Sequence, residues 1–290
     1  MARRLLGAAG SAAAPALAVG LLALYAPTYA DLATGLWQAE NAQHGPLIAL
    51  VAAWLFWQRR GEVLRAPVIP GDASGIPLLC FGLLLYVVGR SQQIALLEVG
   101  SQIPVLAGVV LLARGARALR AVAFPLLFLA FMVPLPGVFV DSLTGTLKEG
   151  VSFAVAEILY AAGLPVARSG VLLTLGQYQL LMADACSGLH SMFSLSALGL
   201  LFLHLTGRAG VPHNAIMLAA ILPVAFAANL ARVLALALVT YYLGDRAAQG
   251  FLHDLAGLLL FVVALALLFV LDALLCRVLP RRRSAGAASA

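Results

Sequence analysis

Charge is what this sequence has least of. Asp, Glu, Lys and Arg make up 10% of the 290 residues, where a soluble domain carries about 25%. That shortage excludes a water-soluble globule. The 63% of apolar residues gather into runs of about twenty, each long enough to cross a hydrocarbon core of about 30 Å. Cysteine is also scarce. Cys80, Cys186 and Cys276 form no CxxC pair and no zinc-type spacing, and their odd number supplies no disulfide framework. Internal repeats are missing, which removes support for a repeat-built transporter. No cleavable signal peptide is expected, because Arg3 and Arg4 lead into a segment that reads as a first membrane helix.

What is present is the pattern of a multi-pass membrane protein. The fold class expected is an all-α integral membrane protein with about eight spans, near 6–29, 43–58, 73–90, 93–113, 119–136, 184–206, 213–242 and 253–277. The second is short, and the fourth is interrupted by Glu98, Gly100 and Gln102. A net charge of +6 does not indicate nucleic acid, because the basic residues cluster between apolar runs. With the N-terminus inside, thirteen of the 18 basic residues fall in cytoplasmic pieces, among them Arg59, Arg60, Arg114, Arg117, Arg120 and Arg208. The positive-inside rule therefore puts both termini in the cytoplasm. Residues 1–30 are expected as an N-terminal membrane helix, 31–277 as the membrane domain, and 278–290 as a disordered basic tail at the inner leaflet.

The longest outer piece is 137–183. Its first half spaces apolar residues helically around Asp141, Lys148, Glu149 and Glu157, which suits an amphipathic helix on the membrane surface or over a cavity. Gly163 and Pro165 end it. The second half alternates around Gly176 and predicts a short hairpin. That hairpin leads directly into Ala183-Asp184-Ala185-Cys186-Ser187-Gly188-Leu189-His190.

This octet gathers an acid, a thiol, a hydroxyl and an imidazole at the outer start of the sixth span. If the segment is helical, Cys186 and His190 share one face. Ser187 and Gly188 allow close helix approach. A second anomaly is Arg232, with Asn229 one turn before it, inside the seventh span. A buried arginine there costs at least about 2.5–3.5 kcal/mol on insertion scales, so it needs a reason. The third is His253, followed by Asp254, at the outer start of the eighth span; His44 competes with it. His204 and His213 fall towards the cytoplasmic side, and Cys80 and Cys276 read as structural. A nucleophile, a fixed cation and an imidazole on one side of a membrane are the parts for acyl transfer through a thioester. The cation and imidazole lower the thiol pKa, the histidine carries the proton, and an arginine fork holds the oxyanion. A different reading is a transporter or export-assembly subunit that binds an anionic solute through Arg232.

With ACSG at 185–188, the N-x-x-R of Asn229–Arg232 and His253 opening a later span, the chain resembles the exosortase/archaeosortase family of membrane-embedded cysteine transpeptidases. VPLP at 133–136, LPV with a following glycine at 164–170 and HG at 44–45 fit the same layout, and SGLHSMFSLSALGLL is similar to the B-type exosortases. The resemblance implies Cys186 as nucleophile, Arg232 as stabilising cation and His253 as proton carrier. Asn229, Ser187, Gly188, His190 and Asp184 would support them. It departs at His190, where many relatives carry arginine. It implies no cofactor and no metal. Its expected substrates are exported proteins ending in a Pro-Glu-Pro motif, a membrane helix and a basic cluster. These would be cut at the periplasmic face of a bacterial inner membrane and passed to an acceptor, in systems linked to exopolysaccharide. The other expected partners are the lipid bilayer and a separate periplasmic accessory protein, with no nucleic acid.

Overall fold

The computed structural model describes residues 2–38, 44–66, 74–134, 137–181, 188–206, 210–244 and 251–278. They are predominantly helical, and the chain divides into two units, 1–135 and 136–290. Among the described residues, four helical stretches are long and apolar enough to cross a membrane: Pro15–Gln38, Ala95–Ala121, Val211–Leu243 and Leu258–Val278. Shorter apolar helices cover 75–91, 123–132 and 193–206. The protein is an all-α membrane protein.

The first unit holds α1 (Ala2–Thr34), α2 (Gly45–Arg65), α3 (Gly75–Ser91), α4 (Ala95–Gly100), α5 (Gln102–Ala121) and α6 (Ala123–Phe128). The fifth expected span, 119–136, is shorter than its hydropathy suggests. α6 runs into a 3-10 turn, Leu129–Met132, so the regular stretch reaches only about 15 Å even at α-helical rise. Pro134 and Pro136 follow it closely, and proline lacks the N–H that would continue a helix.

Helices α3 and α5 pack through glycine. Gly75, Gly82 and Gly89 recur every seventh residue on α3 and are all buried, while Gly108 of α5 lies against Leu79. In lipid the apolar solvent supplies no hydrophobic drive between helices, so small residues that let backbones approach are what holds them. Large residues take the opposite side, with Leu84 and Val87 exposed.

The interrupted fourth span proves to be a polar seam. Thr28 Oγ1 donates to Glu98 Oε1 (2.7 Å), the Tyr25 and Ser101 hydroxyls lie 2.9 Å apart, and Tyr29 donates to Gln102 Oε1 (2.9 Å). Both partners present the same i, i+3, i+4 spacing, so two helix faces zip together. Each such bond in a membrane contributes about 0.6 kcal/mol on average.

The second unit starts with α7 (Gly137–Ala161). Its C-terminal end closes at Gly163 (φ 80°), as expected from the sequence. A three-stranded antiparallel sheet follows: β1 (Val166–Ser169), β2 (Leu172–Leu175) and β3 (Tyr178–Leu181). Registers Ser169↔Leu172 and Leu175↔Tyr178 leave two-residue turns. Gly170 (φ 61°) and Gly176 (φ 60°) open those turns, where a left-handed backbone is needed and glycine costs least. The hairpin around Gly176 was expected; β1, which adds a third strand, was not. The apolar stripe Val151, Val155 and Leu159 of α7 packs on Leu173 and Leu175 of the sheet. Its other side carries exposed Phe153 and Tyr160, so the described part of α7 is apolar on two sides. The unit is completed by α8 (Gly188–Thr206), α9 (Val211–Leu243) and α10 (Phe251–Val278).

A methyl group on Gly82 would stand 2.7 Å from the Val105 backbone nitrogen, and backbone cannot swing aside. Gly82→Ala is expected to cost about 1–3 kcal/mol, as overpacking does. Gly20→Ala, with nothing within 4 Å of the new carbon, is the control. Thermal unfolding of the detergent-solubilised protein checks the pair.

Candidate active site

The site is built on three packed helices of the second unit, and their registers can be read from contacts far from it. His213 near the start of α9 bonds Asp272 of α10 (2.9 Å). Met217 and Leu268, four residues further along each helix, share a cluster. The register persists beyond Pro223, because Ala225 and Leu260, twelve residues on from the bonded pair in each helix, also lie in one cluster. Counting nineteen residues on from His213 reaches Arg232; counting nineteen back from Asp272 reaches His253. Equal rise along both helices brings these backbone positions to one level within about a turn.

Helix α8 obeys the same logic. Gly199 lies against the Ile221 side chain, and Leu195, four residues earlier, clusters with Ala225, four later. Eleven residues on from Ile221 is Arg232, and eleven back from Gly199 is Gly188, the first residue of α8. Counted in this way, the backbones of Gly188, Arg232 and His253 fall at one level along the three helices within about a turn.

Arg232 is 4% exposed and Asn229 2%. Both lie on the buried face of α9 with Ala225, Ala228 and Val233. Arg232 Nε and Asn229 Oδ1 are buried atoms carrying no hydrogen bond, while both side chains have other interactions. Beyond Arg232 the helix runs eleven more residues to Leu243, about 16 Å. Val233 and Ala237 of that stretch pack against α7 and the sheet. Ser152 of α7 donates to the Gly170 carbonyl at the first hairpin turn (3.1 Å), and Gly176 at the second touches Tyr241. The sheet and α7 thus cover the last third of α9, beyond the arginine.

Asp184, Cys186 and Ser187 lie outside the described residues. His190 and His253 belong to α8 and α10, but their side chains are outside the described ones, so no contact between the three principal candidates is described. His44 is the N-cap of α2 in the first unit. Cys80 and Cys276 are exposed. Sequence reading missed a second polar site in the first unit. Arg90 bonds both Asp31 (2.5 Å) and Glu98 (2.9 Å), beside a cavity of about 410 Å³ lined also by Thr28, Gln93 and Ala95. The only signal was Glu98, whose charge interrupts the fourth apolar run.

The family model described as Transmembrane exosortase (Exosortase_EpsH) matches residues 36–270. The chain belongs to the transmembrane exosortase family. The matched stretch begins after α1 and contains Asp184, Cys186, Ser187, Gly188, His190, Asn229, Arg232 and His253. No curated protein and no solved structure matches the chain. Exosortases are membrane transpeptidases of the cysteine-protease kind, so this multi-pass protein is an enzyme of that class.

A buried arginine kept only for structure and one kept for chemistry respond differently to replacement. Removing a buried charge whose partners remain is destabilising in either case, whereas lysine keeps the charge and loses only the planar fork. For this exosortase, Arg232→Lys is expected to hold the thermal midpoint while transpeptidation falls at least a hundredfold. Unfolding midpoint and turnover, measured on one preparation, check it; a lower midpoint with turnover retained would make Arg232 structural.

Proposed function

We propose that this exosortase cleaves exported proteins at a C-terminal Pro-Glu-Pro-type signal and transfers the new carboxyl end to an acceptor. The reaction takes place on the periplasmic side of a bacterial inner membrane, in a system linked to exopolysaccharide. Cys186 is the nucleophile, Arg232 the stabilising cation and His253 the proton carrier. Asn229, Ser187, Gly188, His190 and Asp184 shape their surroundings. The observation that supports this most is the common level of Gly188, Arg232 and His253, reached from registers that owe nothing to the chemistry. Cys186 is two residues before Gly188 in sequence.

The steps follow from the residue types. The Cys186 thiolate attacks the scissile carbonyl carbon, and the guanidinium of Arg232 balances the charge that develops on its oxygen. The C–N bond breaks as imidazolium gives its proton to the departing amine. The acyl group is then a thioester. An acceptor hydroxyl or amine attacks it after losing a proton to the imidazole, and the thiolate leaves. The basic cluster ending the signal fits a substrate whose tail stays on the cytoplasmic side, held there by the rule that sets this enzyme's own orientation.

A tagged substrate carrying the Pro-Glu-Pro motif, a membrane helix and a basic tail, co-expressed with the wild type, should shift on a gel. With Cys186→Ala at equal membrane level no shift is expected. A shift that persists in that variant removes Cys186 as nucleophile. A shift that persists after the motif is scrambled leaves the enzyme class intact and removes the proposed signal.

A further inference from the structure

The same two helices that carry Arg232 and His253 meet at their far end in a group the transpeptidase chemistry does not use. His213 and Asp272 are 6% and 5% exposed and bonded at 2.9 Å. Cys276, one turn beyond Asp272 on α10, is exposed. The imidazole nitrogen, carboxylate oxygen and thiol sulfur all lie within 4.8 Å of one another. Nineteen residues of α9 separate this cluster from Arg232, about 28 Å along the helix, so it is not part of the candidate active site.

We infer that His213, Asp272 and Cys276 form a binding site for a divalent transition cation of the Zn²⁺ class. Three arguments carry this beyond a hydrogen-bonded pair. The first is the donor set: one nitrogen, one oxygen and one sulfur suit a borderline cation such as Zn²⁺ and do not suit Mg²⁺ or Ca²⁺. The second is charge. A carboxylate and a thiolate together neutralise a 2+ ion with the imidazole neutral, which suits a buried helix end where a net charge is costly. The third is reach. Donors about 2.0–2.3 Å from a tetrahedral metal lie about 3.3–3.7 Å apart, so the His213–Asp272 pair, now at 2.9 Å, has to open slightly while the sulfur comes in by up to about an ångström. An exposed Cys276 side chain can do that by rotation. Binding releases the thiol proton and leaves one coordination position for water. His213 and Asp272 are 59 residues apart in sequence, which is why no motif spacing announces the set.

The test uses the full-length protein in nanodiscs, purified without a polyhistidine tag, stripped with chelator and titrated with Co²⁺. Tetrahedral visible bands and a near-ultraviolet thiolate-to-metal band are expected at one equivalent, both abolished by Zn²⁺. Cys276→Ala, at an exposed position that does not threaten folding, should lose the near-ultraviolet band and bind at least tenfold more weakly. Asp272→Asn should weaken binding comparably, with the thiolate band still visible at saturation. No thiolate band in the wild type, or a titration unchanged by Cys276→Ala, overturns the proposal and leaves His213–Asp272 a structural pair.

Discussion

The antiparallel register of α9 and α10 is the constraint on which the second unit depends. Slipping one helix by a single residue would move it about 1.5 Å and turn its face by a quarter of a turn or more. It would break the His213–Asp272 bond in a place where neither group has water to fall back on. The same slip would drive Leu260 and Leu268 out of the gaps beside Ala225 and Met217. One buried hydrogen bond and a row of size-matched contacts thus set the level of Arg232 from about 28 Å away. Helix α8 is tied to the same frame by Gly199, which admits Ile221 only because it has no side chain.

The first unit solves the same problem by other means. Between α3 and α5 it uses the absence of side chains: Gly75, Gly82, Gly89 and Gly108 bring two backbones close. Between α1 and the α4–α5 stretch it uses matched polar side chains, which cannot slip without leaving a hydroxyl or a carboxylate unsatisfied. Arg90 closes that seam at one end through Asp31 and Glu98. Both devices exchange the non-directional grip of a soluble core for directional or close-range contacts, as lipid requires.

Hydropathy and charge made the class, the long spans and the Gly176 turn legible, because each depends on the local composition of a few consecutive residues. The buried arginine was legible for the same reason: a permanent cation inside an apolar run is conspicuous. What depends on a distant partner was not. Glu98, Ser101 and Gln102 read as a break because a hydropathy window cannot see Tyr25, Thr28 and Tyr29 waiting on another helix. The seven-residue glycine spacing was visible but meaningless without α5. The stretch 119–136 looked like a span because apolar content was counted and its prolines were not weighed. His213 was rightly assigned to the end away from Arg232, yet its partner, 59 residues later, had no local signature.

The covering of α9 beyond Arg232 bears on the outcome of the chemistry proposed for Cys186. A thioester meets either water or an acceptor, and water at bulk concentration wins unless it is kept out. Val151, Val155 and Leu159 of α7 and Leu173 and Leu175 of the sheet, all under 3% exposed, form an apolar layer against Val233 and Ala237. That layer lies over the stretch of helix between the arginine level and the Leu243 end. Such a cover lowers the local dielectric, which strengthens a guanidinium acting on an oxyanion. In the proposed mechanism it would also slow hydrolysis of the acyl-enzyme. Transfer through a Cys186 thioester, as proposed, would need both effects, and the α7–sheet layer is placed to supply them together.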